Sequence, residues 1–179
     1  TDAFALPIRI AAVSEPLSED LLRPREREQL ARMTSPARRD AWLRGRAALR
    51  RLGFEDGADR VFPRADCSLA HSGDWAVAVS LPPGAVSGLG VDLELGRSPR
   101  EEAARKFLDE RERAWLPAQK AEARGGALIR FWTVKEASFK ADPGNRGCVV
   151  GDYLLEDPGA DRGRVRRRDL CFEYDSCLV

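Results

Sequence analysis

The sequence predicts an α+β protein. Runs of alternating apolar and polar residues mark strands, and apolar residues at three- and four-residue steps mark helices. The two kinds are mixed along all 179 residues. A breaker cluster, Leu81-Pro82-Pro83-Gly84-Ala85, interrupts the pattern near the middle, and a related order of elements begins again after it. This divides the chain into an N-terminal half, 1–85, and a C-terminal half, 86–179, which carries the main candidate site. No direct sequence repeat links the halves.

The elements follow in order. Pro7–Val13 reads as a first strand, and 18–33 as a helix interrupted or begun at Pro24. Ser35-Pro36 has the form of an N-cap and first helical residue. The helix it opens carries six arginines and stops at Gly53. After the His71 turn comes a strand with Trp75, Val77, Val79 and Leu81 on one face and Ala76, Ala78 and Ser80 on the other. Gly88–Leu95 alternates as a half-buried strand should, with Val91, Leu93 and Leu95 turned to a core. A helix is expected near 99–116, with Leu108 and Trp115 inward, and another over 127–141. The second is bounded by the breakers Gly125-Gly126 and Asp142-Pro143-Gly144. Strand-like stretches follow at Val149–Leu155 and about Val165–Tyr174. The end at Cys177-Leu178-Val179 falls in a strand-like stretch without a polar tail, which raises the expectation of a truncated C-terminus or of disorder beyond it.

Composition narrows the function classes. A hydrophobic share of 43% supports a real core, and a net charge of +1 offers no global attraction to nucleic acid. No apolar run approaches the ~18 residues of a membrane-spanning helix. The N-terminus has no basic stretch leading into an apolar one, so a signal peptide is not expected. Cys67, Cys148, Cys171 and Cys177 show no Cys-x-x-Cys spacing, which leaves zinc poorly supported and suits reduced thiols in the cytoplasm.

The chemistry concentrates in two segments. Asp92 and Glu94 alternate along a strand and so share a face. Two adjacent carboxylates repel unless a cation or proton lies between them, and hard oxygen ligands suit Mg²⁺. Two solvated acids on an edge strand would read the same way. In the 127–141 helix, Glu136 and Lys140 stack at i,i+4 beside Lys135. A salt-bridged surface helix is the plain alternative. The chain holds only four lysines, and two of them lie here.

Gly90-Val91-Asp92-Leu93-Glu94 followed by Phe131-Trp132-Thr133-Val134-Lys135-Glu136-Ala137-Ser138-Phe139-Lys140 resembles the signature pair of 4′-phosphopantetheinyl transferases. Ser68-Leu69-Ala70-His71-Ser72-Gly73-Asp74-Trp75 resembles that family's Ser-His-Ser-x-x-Trp segment, with Ala70 in place of the first serine of the tripeptide. The arginine helix, with Gly45-Arg46 at its centre, resembles the family's basic helix more loosely. The likeness covers most of residues 35–142. It is to the larger, Sfp-type class, in which two similar α/β halves form a pseudo-dimer around one active site.

The resemblance implies transfer of the 4′-phosphopantetheine arm of coenzyme A to a serine of an acyl or peptidyl carrier protein. This converts apo to holo carrier protein and releases adenosine 3′,5′-bisphosphate. The carriers could belong to fatty-acid, polyketide or non-ribosomal peptide synthesis. Asp92, Glu94 and Glu136 would hold Mg²⁺. Arg39, Arg46, His71, Lys135 and Lys140 would contact the cofactor, with the two arginines toward its 3′-phosphate and adenine end. Glu136 and Lys140 are the candidate catalytic residues, Glu136 as base and Lys140 at the leaving group. A monomer is implied. The arginine run Arg162, Arg164, Arg166, Arg167 and Arg168 is either a solvated face or a dock for an acidic carrier. Two other readings remain open: a binding module that keeps the fold without the chemistry, and a Mg²⁺-dependent phosphoesterase.

Overall fold

The computed structural model describes residues 7–54, 64–96 and 101–177. It is built from two three-stranded antiparallel sheets, each backed by one long helix. β1 (Arg9–Val13), β2 (Cys67–Ser72) and β3 (Trp75–Ser80) form the first sheet in the order β1-β3-β2. β4 (Leu154–Leu155), β5 (Arg162–Arg167) and β6 (Leu170–Asp175) form the second in chain order. No helix among the described residues is long and apolar enough to cross a membrane.

α1 (Pro24–Ala31) starts at the expected proline, and α2 (Pro36–Arg51) starts at the expected cap. There Ser35 Oγ accepts the Arg38 N–H. α2 ends where Gly53 takes φ +83°, a conformation that costs glycine nothing. Ala48 and Leu49 of α2 and its cap residue Leu52 pack on Ala11, Val13, Cys67, Ala76 and Ala78. The small-residue face of β3 is therefore the one that meets α2; on the other face Trp75 is 44% exposed while Val79 is buried. Sequence alternation separates the two faces of a strand. It does not say which one meets the helix. Glu26, almost fully buried, accepts from Arg50 Nη2 at 2.9 Å and fixes α1 to α2.

The second core is larger. Phe107, Leu108, Leu116, Leu128, Phe131, Val134, Tyr153, Leu155, Val165 and Tyr174 meet in one cluster, with Trp115 and Trp132 against it. Its centre is α5 (Ala121–Ala141), a helix of 21 residues that begins six residues earlier than expected. Gly125 and Gly126 lie inside α5. Glycine in a helix costs about 1 kcal/mol against alanine, an amount that packing of the flanking helix offsets. The helix expected near 99–116 is two short ones, α3 (Glu101–Ala104) and α4 (Glu110–Trp115), and positions 99 and 100 lie outside the described residues, as do 178 and 179. Asp109 opens α4 with a capping box, its carboxylate accepting the Glu112 N–H while Glu112 Oε2 accepts the Asp109 N–H. Only Leu154–Leu155 of the first late stretch pairs as a strand, after a 3₁₀ turn at Val150–Asp152. The second stretch is the β5–β6 hairpin, which turns at Arg168 with φ 52°.

Gly88–Leu95 is the main departure. It is not a strand of either sheet. It lies directly on the backbone of α5, so close that a Cβ on Gly88 would stand 1.7 Å from the Ala141 carbonyl oxygen, and one on Gly90 1.8 Å from that of Ala137. Two of its amide hydrogens go to side chains instead of a ladder: Val91 N–H donates to Ser68 Oγ at 3.0 Å and Leu95 N–H to Ser72 Oγ at 2.8 Å. Val91, Leu93 and Leu95 are half-buried and belong to no core cluster. Gly90→Ala is therefore expected to push the segment off the helix and cost at least about 2 kcal/mol. Thermal unfolding followed by circular dichroism reads this as a clear fall in Tm. An unchanged Tm would mean the crossing is looser than described.

Candidate functional site

The crossing brings the acids of one segment to the polar face of α5. Lys140 Nζ donates to Asp92 Oδ1 at 2.7 Å and to the Val91 carbonyl oxygen at 3.1 Å. Glu136, one turn earlier on α5, shares this space. Burial pushes its carboxyl above the ordinary range, the charges of Asp92 and Glu94 push the same way, and Lys140 opposes them. Burial also raises the Asp92 carboxyl, against the pull of Lys140. Three carboxylates thus act on one another around a single lysine.

The donor set suits a hard divalent cation. Asp92 Oδ2 is buried and has no hydrogen-bond partner among the described residues, so one lone-pair set remains to be satisfied. Among the described residues no three acid, imidazole or thiol groups form a closed cation cage. Asp92 is drawn to Lys140, and Glu94 lies 3.5 Å from the Ser72 hydroxyl.

His71 stands on the other face of β2, over Gly45 of α2. A Cβ on Gly45 would meet His71 Nε2 at 2.8 Å, so the glycine is what admits the ring. Burial lowers the His71 pKa. The positive charge of Lys140 adds to this, as do Arg46 and Arg44, while a hydrogen bond with the Ala41 backbone opposes it. An imidazole set among three cations is a good neighbour for phosphate. Arg46 is buried, with its guanidinium 4.8 Å above the Trp42 ring. Arg44, given no role from sequence, pairs with Asp40 at 3.1 Å and Asp74 at 3.3 Å and adds its charge beside His71.

Two expected contacts fall elsewhere. Lys135 does not face the acids: its side chain is 0% exposed, against Glu112 at 0%, with Nζ 2.8 Å from Glu112 Oε2 and 2.8 Å from the Phe107 carbonyl oxygen. Adjacent helix residues point about 100° apart, so Lys135 turns into the core while Glu136 turns to the acids. Arg39 commits its guanidinium to the Leu30 carbonyl at 2.9 Å and to Glu19 at 3.0 Å, which ties α2 to α1 and to the segment before it. Ala70, 2% exposed, sits in the row of Ser68 and Ser72, turned to the acid segment and away from His71.

Three of the five arginines of the run are paired with acids of this half, one of them inside the hairpin. Arg162 pairs with Asp175, Arg166 with Glu156 and Arg167 with Asp142. The serine contacts of Ser68 and Ser72 and the pairing of Glu112 are not among the expectations from sequence. Their signals were faint: two serines of equal strand parity, and an acid three residues after an Asp cap. Two cavities, one lined by Arg32, Ser35 and Arg38 and one by Arg9, Phe54 and Asp66, contain none of the three acids.

The family model of the 4'-phosphopantetheinyl transferase superfamily matches residues 88–177, half of the chain. No curated protein gives a significant match.

Lys135→Met leaves Glu112 charged and unpaired in the core, and should destabilise the fold by about 3–5 kcal/mol. Urea unfolding checks this, since a lysine that only touched ligand would leave stability unchanged. Glu136→Gln should behave oppositely. An acid whose folded pKa is raised costs stability when ionised, fully above that pKa and not at all below its unfolded value. The Gln variant should match or exceed the wild-type Tm at neutral pH, with the difference vanishing as pH falls through the ordinary carboxylate range. A lower Tm at neutral pH would overturn the like-charge reading of this site.

Proposed function

We propose, since the chain belongs to the 4'-phosphopantetheinyl transferase superfamily, that it moves the 4′-phosphopantetheine arm of coenzyme A to a serine hydroxyl of an acyl or peptidyl carrier protein. The observation that carries this reading is the meeting of Asp92, Glu94 and Glu136 with Lys140 where the acid segment crosses α5. Further support comes from His71, set beside Lys140, Arg44 and Arg46.

The reaction breaks the bond between the pantetheine-side phosphorus and the oxygen bridging the diphosphate, and forms one from that phosphorus to the serine oxygen. Adenosine 3′,5′-bisphosphate leaves. Displacement at phosphorus depends on positioning and charge neutralisation more than on covalent help. Asp92, Glu94 and Glu136 would hold Mg²⁺, which supplies charge neutralisation on the diphosphate when bound. Lys140 moves its positive charge onto a phosphate oxygen and steadies the negative charge that grows on the leaving group. His71 hydrogen-bonds a phosphate, and Arg46 adds positive charge from α2. Glu136 is the candidate base for the serine proton, a role open to it only where it is not bound to the cation; without one, burial and the two neighbouring acids raise its basicity.

On this reading the chain is of the Sfp-type class. Residues 1–85 and 86–179 are the two halves of a pseudo-dimer, active as a monomer in the cytoplasm. One three-stranded sheet and one long helix in each half support that arrangement.

Intact-mass spectrometry of an apo carrier protein incubated with the chain, coenzyme A and Mg²⁺ tests the proposal. The carrier should gain one phosphopantetheine mass, and a chelator should abolish the gain. Glu136→Gln should lose transfer while keeping its fold. Coenzyme A binding without any mass gain, across several carrier types, would leave only a binding module.

A further inference from the structure

Ser68 and Ser72 are buried on the face of β2 away from α2. Each hydroxyl oxygen accepts one amide hydrogen of the acid segment, Ser68 from Val91 and Ser72 from Leu95. The two contacts are four residues apart on both partners and run in the same direction. A strand rises about 3.3 Å per residue, so the acid segment follows β2 in parallel at matched pitch, joined by side chains where a sheet would use backbone. Asp92, Leu93 and Glu94 are the residues between the two fixed points. The Ser72 hydroxyl, having accepted from Leu95, points its own hydrogen toward Glu94 Oε2 at 3.5 Å. Lys140 holds the same stretch from α5 through the Val91 carbonyl oxygen.

We propose that Ser68 and Ser72 are positioning residues: their hydroxyls bracket the acid segment and set the spacing at which Asp92 and Glu94 present oxygens to a divalent cation. The cation part rests on the function proposed above, whereas the bracket itself does not. Groups that orient ligands without touching the metal typically govern about 10–100-fold in metal affinity.

The test uses the full chain without coenzyme A and Mn²⁺ as the probe, titrated by electron paramagnetic resonance. Wild type, Ser68→Ala, Ser72→Ala and the double variant are compared with Tyr174→Phe. The last loses a hydroxyl contact to the Ala160 carbonyl in the other sheet and controls for a general loss of stability. Hydrogen exchange at the Val91 and Leu95 amides is followed in the same samples. Each serine variant should bind Mn²⁺ about tenfold more weakly and exchange these amides faster, while Tyr174→Phe changes neither. Serine variants that keep wild-type Mn²⁺ affinity in their folded fraction would overturn the positioning role. If wild type itself binds no Mn²⁺, the cation reading fails, and amide exchange then decides: unchanged protection refutes the bracket, and lost protection sustains it.

Discussion

The backbone-on-backbone crossing of Gly88–Leu95 over α5 is the constraint on which the site depends. No side chain fits at positions 88 and 90, because the Ala141 and Ala137 carbonyl oxygens occupy the place of a Cβ. Two glycines therefore let the segment descend onto the helix, and the Lys140 ammonium fastens it through Val91 and Asp92. The result is a short distance between acids that are more than forty residues apart in sequence. Glycine's greater loss of backbone freedom on folding is a cost of about 0.5–1 kcal/mol each, relative to alanine. The close approach repays it with position, since any larger residue would lift Asp92 and Glu94 away from Glu136.

The orientation of α5 has its own supports, and they are buried charges. Lys135 reaches Glu112, which also caps α4 and accepts the Leu155 N–H at 3.3 Å. One carboxylate thus joins α4, α5 and β4. At the end of α5, burial raises the cost of ionising Asp142, yet Arg167, the Tyr153 hydroxyl and the Gly144 N–H together hold its carboxyl below the usual range. Burial and the same carboxylate push the Tyr153 hydroxyl far above its ordinary pKa, so it remains a donor. Buried pairs of this kind contribute little net stability but penalise misplacement strongly. Here they lie on the inward side of α5, and Glu136 and Lys140 are half-buried on the side that meets the acid segment.

Much of this was readable in the sequence. Ser35-Pro36, Pro24 and Gly53 mark helix ends because their backbone preferences are local. Asp92, Glu136 and Lys140 lie together where the resemblance, not their spacing, brought the two segments into one site. What failed to show was decided by tertiary contact. Alternation at 88–95 mimics a strand because an extended segment between a sheet and a helix also has two unlike sides. Gly125-Gly126 reads as a break until Leu128 and Phe131 are seen buried in the core. Lys135 looks like a ligand beside Glu136 because sequence proximity hides the turn of the helix.

The acid segment takes its amide partners from β2 in the first sheet and its lysine from α5 behind the second. Those contacts span 23 to 49 residues of chain, and contacts this distant close late because loop entropy must be met first. Neither sheet with its helix can assemble the acids alone. A chain caught partway through folding, with one half formed and the other open, carries no competent site. On the proposed reading of the site, activity would then be a certificate of completed assembly, withheld until both sheets and their helices have met.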